Sequence, residues 1–362
     1  MAVPLGLLLS NLWQGGIAWI LGGILAGGVV LYGSRLVNLA AKPNPTARKM
    51  GQSLVGMTIG FSIAHSQLAD VATNLPVLVL LTGFLLLSGT GIGYLYARFS
   101  QTNLLTAMLA TVPGGVGIMS SLAADYGRNV ALVSLVQIIR VTTVIILIPF
   151  VARSAVQQQV FMSTTHLPLI GLEPLQLGYL ALALGFTGLT TLLATHWRFP
   201  SAPFVGGLVA GGLFNSSIHG LVEAIVLLPA IDFSPPPLVS LLGQILLGVT
   251  IGEYWGNKPI VDKRAIGFAL VSVTLTLTAG LAAMLLAMQL THWDWLTCLL
   301  VTAPGGAAEM ILVALSLNHH VETVTAGHLV RLIAINASLP LWVFLFRTLD
   351  RQLGQPQLTS VR

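Results

Sequence analysis

Thr111-Val-Pro-Gly-Gly115 sits inside the apolar run Leu104–Ala124, and Thr302-Ala-Pro-Gly-Gly306 sits inside the apolar run Leu296–Leu317. Proline within a helix removes a backbone donor and clashes with the preceding turn. Two adjacent glycines let the chain turn and leave its polar groups uncovered. In water such a segment is a loop. In hydrocarbon every freed N–H and C=O must find protein, water or ligand. The pattern occurs twice, 191 residues apart (302 − 111), and that recurrence organises the rest of the chain.

Working outward, Arg140 and Arg331 recur at the same offset, as do Pro149 and Pro340. Upstream, Gly51-Gln-Ser-Leu-Val-Gly-Met-Thr-Ile-Gly60 matches Gly243-Gln-Ile-Leu-Leu-Gly-Val-Thr-Ile-Gly252, and Leu21-Gly-Gly-Ile-Leu-Ala-Gly-Gly28 matches Val205-Gly-Gly-Leu-Val-Ala-Gly-Gly212. Matched blocks in one order make two homologous halves. Residues 1–152 are read as the first membrane repeat, 153–176 as a polar linker, 177–349 as the second repeat and 350–362 as a tail. The second half carries an extra leading helix, Leu177–Thr195, that the first half lacks or has shortened.

Composition sets the solvent. The 362 residues are 55% hydrophobic and 7% charged, against about 25% charged in soluble proteins. Eleven apolar runs, beginning with Ile17–Tyr32 and ending with Val321–Phe346, show no strand-like alternation. The expected fold is therefore all-α and polytopic, with about ten to eleven helices, two of them broken at Pro-Gly-Gly. The net charge of +5 resides in short loops and reads as membrane topology rather than nucleic-acid binding. The bilayer is the expected partner, with a small solute; self-association stays open. Cys298 is the only cysteine, so neither an intrachain disulfide nor a thiolate cluster is expected, and no cleavable signal peptide is evident.

Loop charges bear on the relation of the halves. Arg35, Lys42, Arg48 and Lys49 fill one loop, whose counterpart, Ser217–Pro237, holds Glu223 and Asp232. The next pair reverses, with Asp70 in the first half and Lys258, Lys263 and Arg264 in the second. Opposite charge on equivalent loops favours inverted repeats. Counting full spans gives parallel halves, so inversion needs an element that does not cross. Gly51–Ala64 reads as short for a span, the Pro-Gly-Gly segments could be re-entrant, and Leu221–Ile231 could dip in.

The paired Thr-x-Pro-Gly-Gly, Gly-x-Thr-Ile-Gly and Gly-Gly-x-x-Ala-Gly-Gly motifs resemble the membrane AbrB family, also labelled "putative ammonia monooxygenase", over about residues 17 to 348. Thr302-Ala-Pro-Gly-Gly-Ala-Ala-Glu-Met310 is the most specific stretch. The family name implies an effect on gene expression, and neither label establishes chemistry.

Matched helix breaks in two repeats are the best sequence pointer to a transporter's binding site. Thr111, Pro113, Gly114, Gly115, Thr302, Pro304, Gly305 and Gly306 are accordingly expected at a substrate site, together with Arg140, Arg331 and His328. Arg140 and Arg331 lie deep in apolar runs, each one turn after Gln137 or His328, and need a carboxylate, carbonyls or a bound anion. Glu309, matched by Ile118, is the candidate coupling-ion residue, with pairing to Arg331 as the bland alternative. Gly23, Gly27, Gly207 and Gly211 read as close packing. Glu253 reads as a membrane-edge residue.

The reading that follows is a secondary transporter of a small, perhaps anionic, solute in a bacterial inner membrane, coupled to an unidentified ion. A membrane regulator or sensor is the alternative. A metal-dependent monooxygenase is disfavoured, because the eight histidines are scattered and a copper or iron centre needs clustered ligands. No cofactor or metal is expected, although His319, His320 and Glu322 lie close in sequence. There is no phosphate-binding Gly-x-x-x-x-Gly-Lys-Ser/Thr motif.

Overall fold

The structure, a computed structural model, describes residues 1–10, 17–37, 44–64, 69–155, 174–225, 233–256, 263–317 and 319–352. Among these every regular element is helical. In chain order they are α1 (Ala2–Ser10), α2 (Ile17–Leu36), α3 (Pro45–Ile63), α4 (Ala69–Thr73), α5 (Leu75–Ser100), α6 (Leu104–Thr111), α7 (Val116–Asp125), α8 (Val130–Ala155), α9 (Pro174–His196), α10 (Ala202–Ile225), α11 (Pro237–Gly256), α12 (Lys263–Leu290), α13 (Trp295–Thr302), α14 (Ala307–Ser316) and α15 (Val321–Gln352). Among the described residues, six stretches are long and apolar enough to cross a membrane: Leu75–Ser100, Val130–Ala152, Pro174–His196, Pro237–Trp255, Lys263–Leu290 and Val321–Gln352. The all-α polytopic expectation holds.

The pieces outnumber the apolar runs for local reasons. The two Pro-Gly-Gly runs each split, into α6 with α7 and into α13 with α14. Helix α3 is longer than its apolar run because it starts inside the basic loop. Asn44 Oδ1 accepts from Thr46 N and Ala47 N, and Pro45 opens the helix, a favoured capping arrangement. Gly51–Ala64 is therefore the end of a 19-residue helix rather than a short element. Helix α1 precedes α2, with Gly22 of α2 backed against Gly6 just as Gly206 of α10 is backed against Thr191 of α9. Most of the polar linker, residues 156–173, and the run 226–232 lie outside the described residues. Helix α15 continues through Gln352, and Asp350 is buried.

The chain forms two compact units, and each draws helices from both sequence halves. The first comprises Met1–Leu68, Val156–Asn257 and Ile311–Glu322. Its centre is two glycine seams. Gly23 and Gly27 of α2 meet Ile245 and Val249 of α11, while Gly248 and Gly252 of α11 meet Ile20 and Ile24 of α2. Gly56 and Gly60 of α3 meet Phe204 and Leu208 of α10, while Gly207 and Gly211 of α10 meet Ser53 and Met57 of α3. In each seam the numbers rise together, so the paired helices run parallel. Where α3 meets α11 the order reverses: Gly51 meets Leu246 and Leu247, and Gly243 meets Leu54 and Val55. Those two helices are antiparallel. Backbone-to-backbone approach of this kind needs a missing Cβ on both sides. At one end of α3, Glu253 Oε2 accepts from Asn44 N at 2.9 Å and Arg48 donates to the Tyr254 hydroxyl at 3.0 Å. At the other, Phe61, Phe214 and Phe233 cluster with centroids 5.5–5.7 Å apart.

The second unit comprises Ala69–Ala155, Lys258–Met310 and Thr323–Arg362. It contains both Pro-Gly-Gly breaks, with α5, α8, α12 and α15 as its long helices. Its apolar core runs from Leu104, Leu105 and Met108 through Val133 and Val136 to Val273 and Val343.

Candidate functional site

Each broken segment is two half-helices, of eight and ten residues, about 12 and 15 Å long, and neither reaches across about 30 Å of hydrocarbon. The first segment folds back on itself. Asp350 of α15 accepts from Leu104 N at 2.7 Å and Leu105 N at 3.3 Å, at the start of α6, and its other role is an ion pair with Arg128 Nη2 at 3.3 Å, just beyond α7. Residues 104 and 128 thus return to one carboxylate, whereas a continuous helix would part them by about 36 Å. The segment is a helical hairpin with Thr111–Gly115 at its tip. Its root is closed by a buried pair, with side chains 5% and 2% exposed. Asn103 Oδ1 also caps α6 through Thr106 N. In the second segment Asp294 caps α13 through Leu296 N and Thr297 N.

The long helices behind the breaks also match. Thr111 Oγ1 reaches Gly89 O of α5 at 3.4 Å, and Gly280 of α12 packs against Pro304 and Thr302 O. Gly89 and Gly280 stand at the 191-residue offset, a further matched pair that the sequence offered and sequence reading missed. Gly115 adopts φ +86°, the left-handed region that suits glycine. Gly114 is filled by Met119. The hydroxyls of Thr111 and Thr302 bond to Ala107 O and Cys298 O, one turn back in their own half-helices. Gly305 lies against Val144 of α8, one turn beyond Arg140, so the second break and the first arginine's helix adjoin. Behind the first tip is an apolar hollow lined by Leu105, Met108, Met119, Trp342 and Phe346.

Both arginines are buried, at 2% and 4% exposure, and both hold the carbonyls that the breaks release. Arg140 donates to Thr111 O at 3.0 Å and to Gln137 Oε1 at 2.7 Å, while Gln137 Nε2 donates to Leu109 O and Val112 O, both at 2.8 Å. Arg331 donates to Ala303 O at 2.7 Å and Gly305 O at 2.9 Å, and lies 2.7 Å from His328 Nδ1, while His328 Nε2 lies 2.9 Å from Leu300 O. The clamps engage matched carbonyls, residues 109 and 112 in one and 300 and 303 in the other. Neither guanidinium has a carboxylate partner among the described residues, and the buried Nε of Arg140 has no hydrogen-bond partner there.

The half-helices that leave the tips differ. Helix α7 starts at Gly115 with no side-chain cap. In α14, Gly306 precedes the first helical residue and Glu309 stands at the third helical position, its carboxylate lying where a Cβ on Gly306 would be. A carboxylate there folds back over the helix N-terminus, the acidic half of a capping box. Asn336 donates to Leu332 O in its own helix. His320 Nδ1 is 3.6 Å from Glu322 Oε1, and the His320 side chain is 57% exposed.

The sequence-predicted residues therefore assemble around two helix breaks in one unit. Sequence reading did not find the Asp350–Arg128 pair. Nothing in the linear order links an aspartate near the end of α15 to an arginine more than 200 residues before it.

The chain matches the family model described as "Transition state regulatory protein AbrB" over residues 19–347. It is similar to the "Uncharacterized protein YhjN" of Bacillus subtilis (strain 168), at 28% identity over 305 residues, covering 80% of this chain and 76% of that protein. It is also similar to the "Putative regulator AbrB" of Escherichia coli (strain K12), at 25% identity over 324 residues, covering 88% and 86%. These names describe no enzyme. No solved structure matches the chain.

Proposed function

The chain belongs to the AbrB family, and on that premise we propose that it is a secondary transporter of a small anionic solute, built as two inverted repeats and seated in a bacterial inner membrane. One observation carries the reading. Two buried arginines stand about ten residues inside apolar helices, at the tips of two helix breaks, with no carboxylate to balance them among the described residues. Removing a charge from water costs several kcal/mol even after relaxation. Carbonyl caps offset part of that cost. An anion arriving at the tips would offset more, and charged groups within a membrane usually mark the pathway of a solute or ion.

Inversion is supported by the first unit. Helices α3 and α11 are sequence equivalents that cross antiparallel, and α2 and α10 are equivalents each parallel to the other's neighbour. A first broken segment that returns instead of crossing supplies the odd count that inversion needs. The open N-terminus of α7 and the unpartnered Arg140 Nε are the groups we assign to the solute. Glu309, folded over the start of α14, is assigned to the coupling ion, because it is the carboxylate that a cation could draw away from the helix end.

The test is uptake and counterflow in proteoliposomes with a broad panel of labelled small carboxylates and inorganic anions. The wild type is expected to move at least one. Glu309→Gln is expected to lose uphill accumulation while keeping counterflow. A wild type that moves none of the panel would remove the carrier reading. A second reading takes its support from the relative named as a regulator: expression changes because the solute moves. Deleting the gene while supplying the solute separates the two, since a direct regulator would not be bypassed.

A further inference from the structure

The residue one turn before each arginine differs in type and agrees in work. Gln137 presents an acceptor to Arg140 Nη2 and donors to Leu109 O and Val112 O. His328 presents Nδ1 to Arg331 Nη2 and Nε2 to Leu300 O. A guanidinium only donates, so His328 Nδ1 must carry a lone pair. A carbonyl only accepts, so Nε2 must carry the proton. The ring is thereby fixed as the neutral Nε2–H tautomer by its two partners. In that form an imidazole and a carboxamide are alike: each accepts at one end and donates at the other. A proton added at Nδ1 would set a donor against a donor, 2.7 Å from a cation.

We infer that His328 and Gln137 are equivalent positioning residues, each a neutral link that aims an arginine at the carbonyls of a broken helix, and that His328 is not a proton carrier. Arg331 is the charged group that touches His328; elsewhere its own helix carries Glu322, Arg347, Asp350 and Arg351, α13 carries Cys298 behind its cap Asp294, and α8 and α12, which pack against α13, carry Arg140, Arg153, Lys263 and Arg264. Asp294 is engaged in capping Leu296 N and Thr297 N. None of these calls for a charged imidazole. For what the clamps serve, the inference rests on the carrier reading; for what the side chain does, it rests on hydrogen-bond roles alone.

The test uses the purified full-length chain and three variants: His328→Gln, His328→Leu and the double swap Gln137→His with His328→Gln. Amide exchange at residues 303 and 305–307 and the thermal unfolding midpoint are followed across about pH 5 to 8, the range in which histidine changes charge. His328→Gln and the double swap are expected to match the wild type in both readouts at every pH. His328→Leu is expected to exchange at least about ten-fold faster at the tip, the equivalent of one lost hydrogen bond. Should His328→Leu fail to fold, the double swap decides: wild-type exchange supports the inference and faster exchange overturns it. A His328→Gln protein that abolishes a pH dependence present in the wild type also overturns it, since a titrating imidazole would then be at work. These readouts need no cargo, so a panel in which no anion moves would sink the carrier reading while leaving this result to stand or fall separately.

Discussion

Replacing Asp350 with alanine is expected to loosen the root of the first hairpin, and the structure gives the size of the effect. The carboxylate accepts from two backbone N–H groups at the start of α6 and pairs with Arg128 at 3.3 Å, with both side chains almost wholly buried. Loss of a helix cap costs about 1 kcal/mol. Removing one member of a buried ion pair leaves the other charge uncompensated, at about 3–5 kcal/mol. Asp350→Ala should therefore destabilise by about 4–6 kcal/mol. Most of that belongs to Arg128 rather than to the cap, so the double variant Asp350→Ala with Arg128→Met should recover all but about 1–2 kcal/mol, because no buried cation remains. Asp350→Asn keeps an acceptor for Leu104 N and should fall between the two. Reversible unfolding in mixed micelles, with tip and root amide exchange followed in parallel, reads all three. A double variant no more stable than Asp350→Ala would refute the reasoning, since the cost would then lie in packing or capping and not in a stranded charge.

The glycine seams predict a graded response. Gly27→Val and Gly211→Val place a side chain against the backbone of Val249 and Met57 respectively and should each cost at least about 1–3 kcal/mol. Gly33→Val, where nothing lies within 4 Å of the added Cβ, should leave the same unfolding assay nearly unchanged. At the first tip, Gly115→Ala meets no neighbour within 4 Å but holds φ at +86°, so its cost should be purely conformational, about 1–2 kcal/mol, and visible as faster exchange at residues 114–118.

The helix breaks are legible because Pro-Gly-Gly interrupts the hydrogen-bond ladder of any helix in an apolar run. The arginines were legible because a charge ten residues into such a run has few explanations. Their partners were not. Carbonyl acceptors belong to every residue and leave no mark in sequence, so the linear order does not distinguish an anion or Glu309 from Ala303 O and Gly305 O as what Arg331 holds. The fold-back of α6 and α7 was equally hidden, since Pro-Gly-Gly serves a kink as well as a turn; the distinction came from Asp350 touching both ends. Gly23, Gly27, Gly207 and Gly211 announced close packing, yet the partner of each lay in the opposite half. Hydropathy alone shortens α3 because its first turns carry Arg48 and Lys49, and the Asn44 cap shows that the helix begins before them.

The crossed glycine seams also set a schedule for synthesis. When α2 and α3 leave the ribosome, the backbones that fit Gly23, Gly27, Gly56 and Gly60 do not yet exist; those lie 222 residues downstream in α11 for α2 (245 − 23) and 148 downstream in α10 for α3 (204 − 56). Until then the first pair of helices presents bare, small-residue faces to lipid or to whatever insertion machinery shields them. Truncated chains ending before α10 should thus be the species that quality-control proteases recognise, and separately expressed halves should rescue one another when made together.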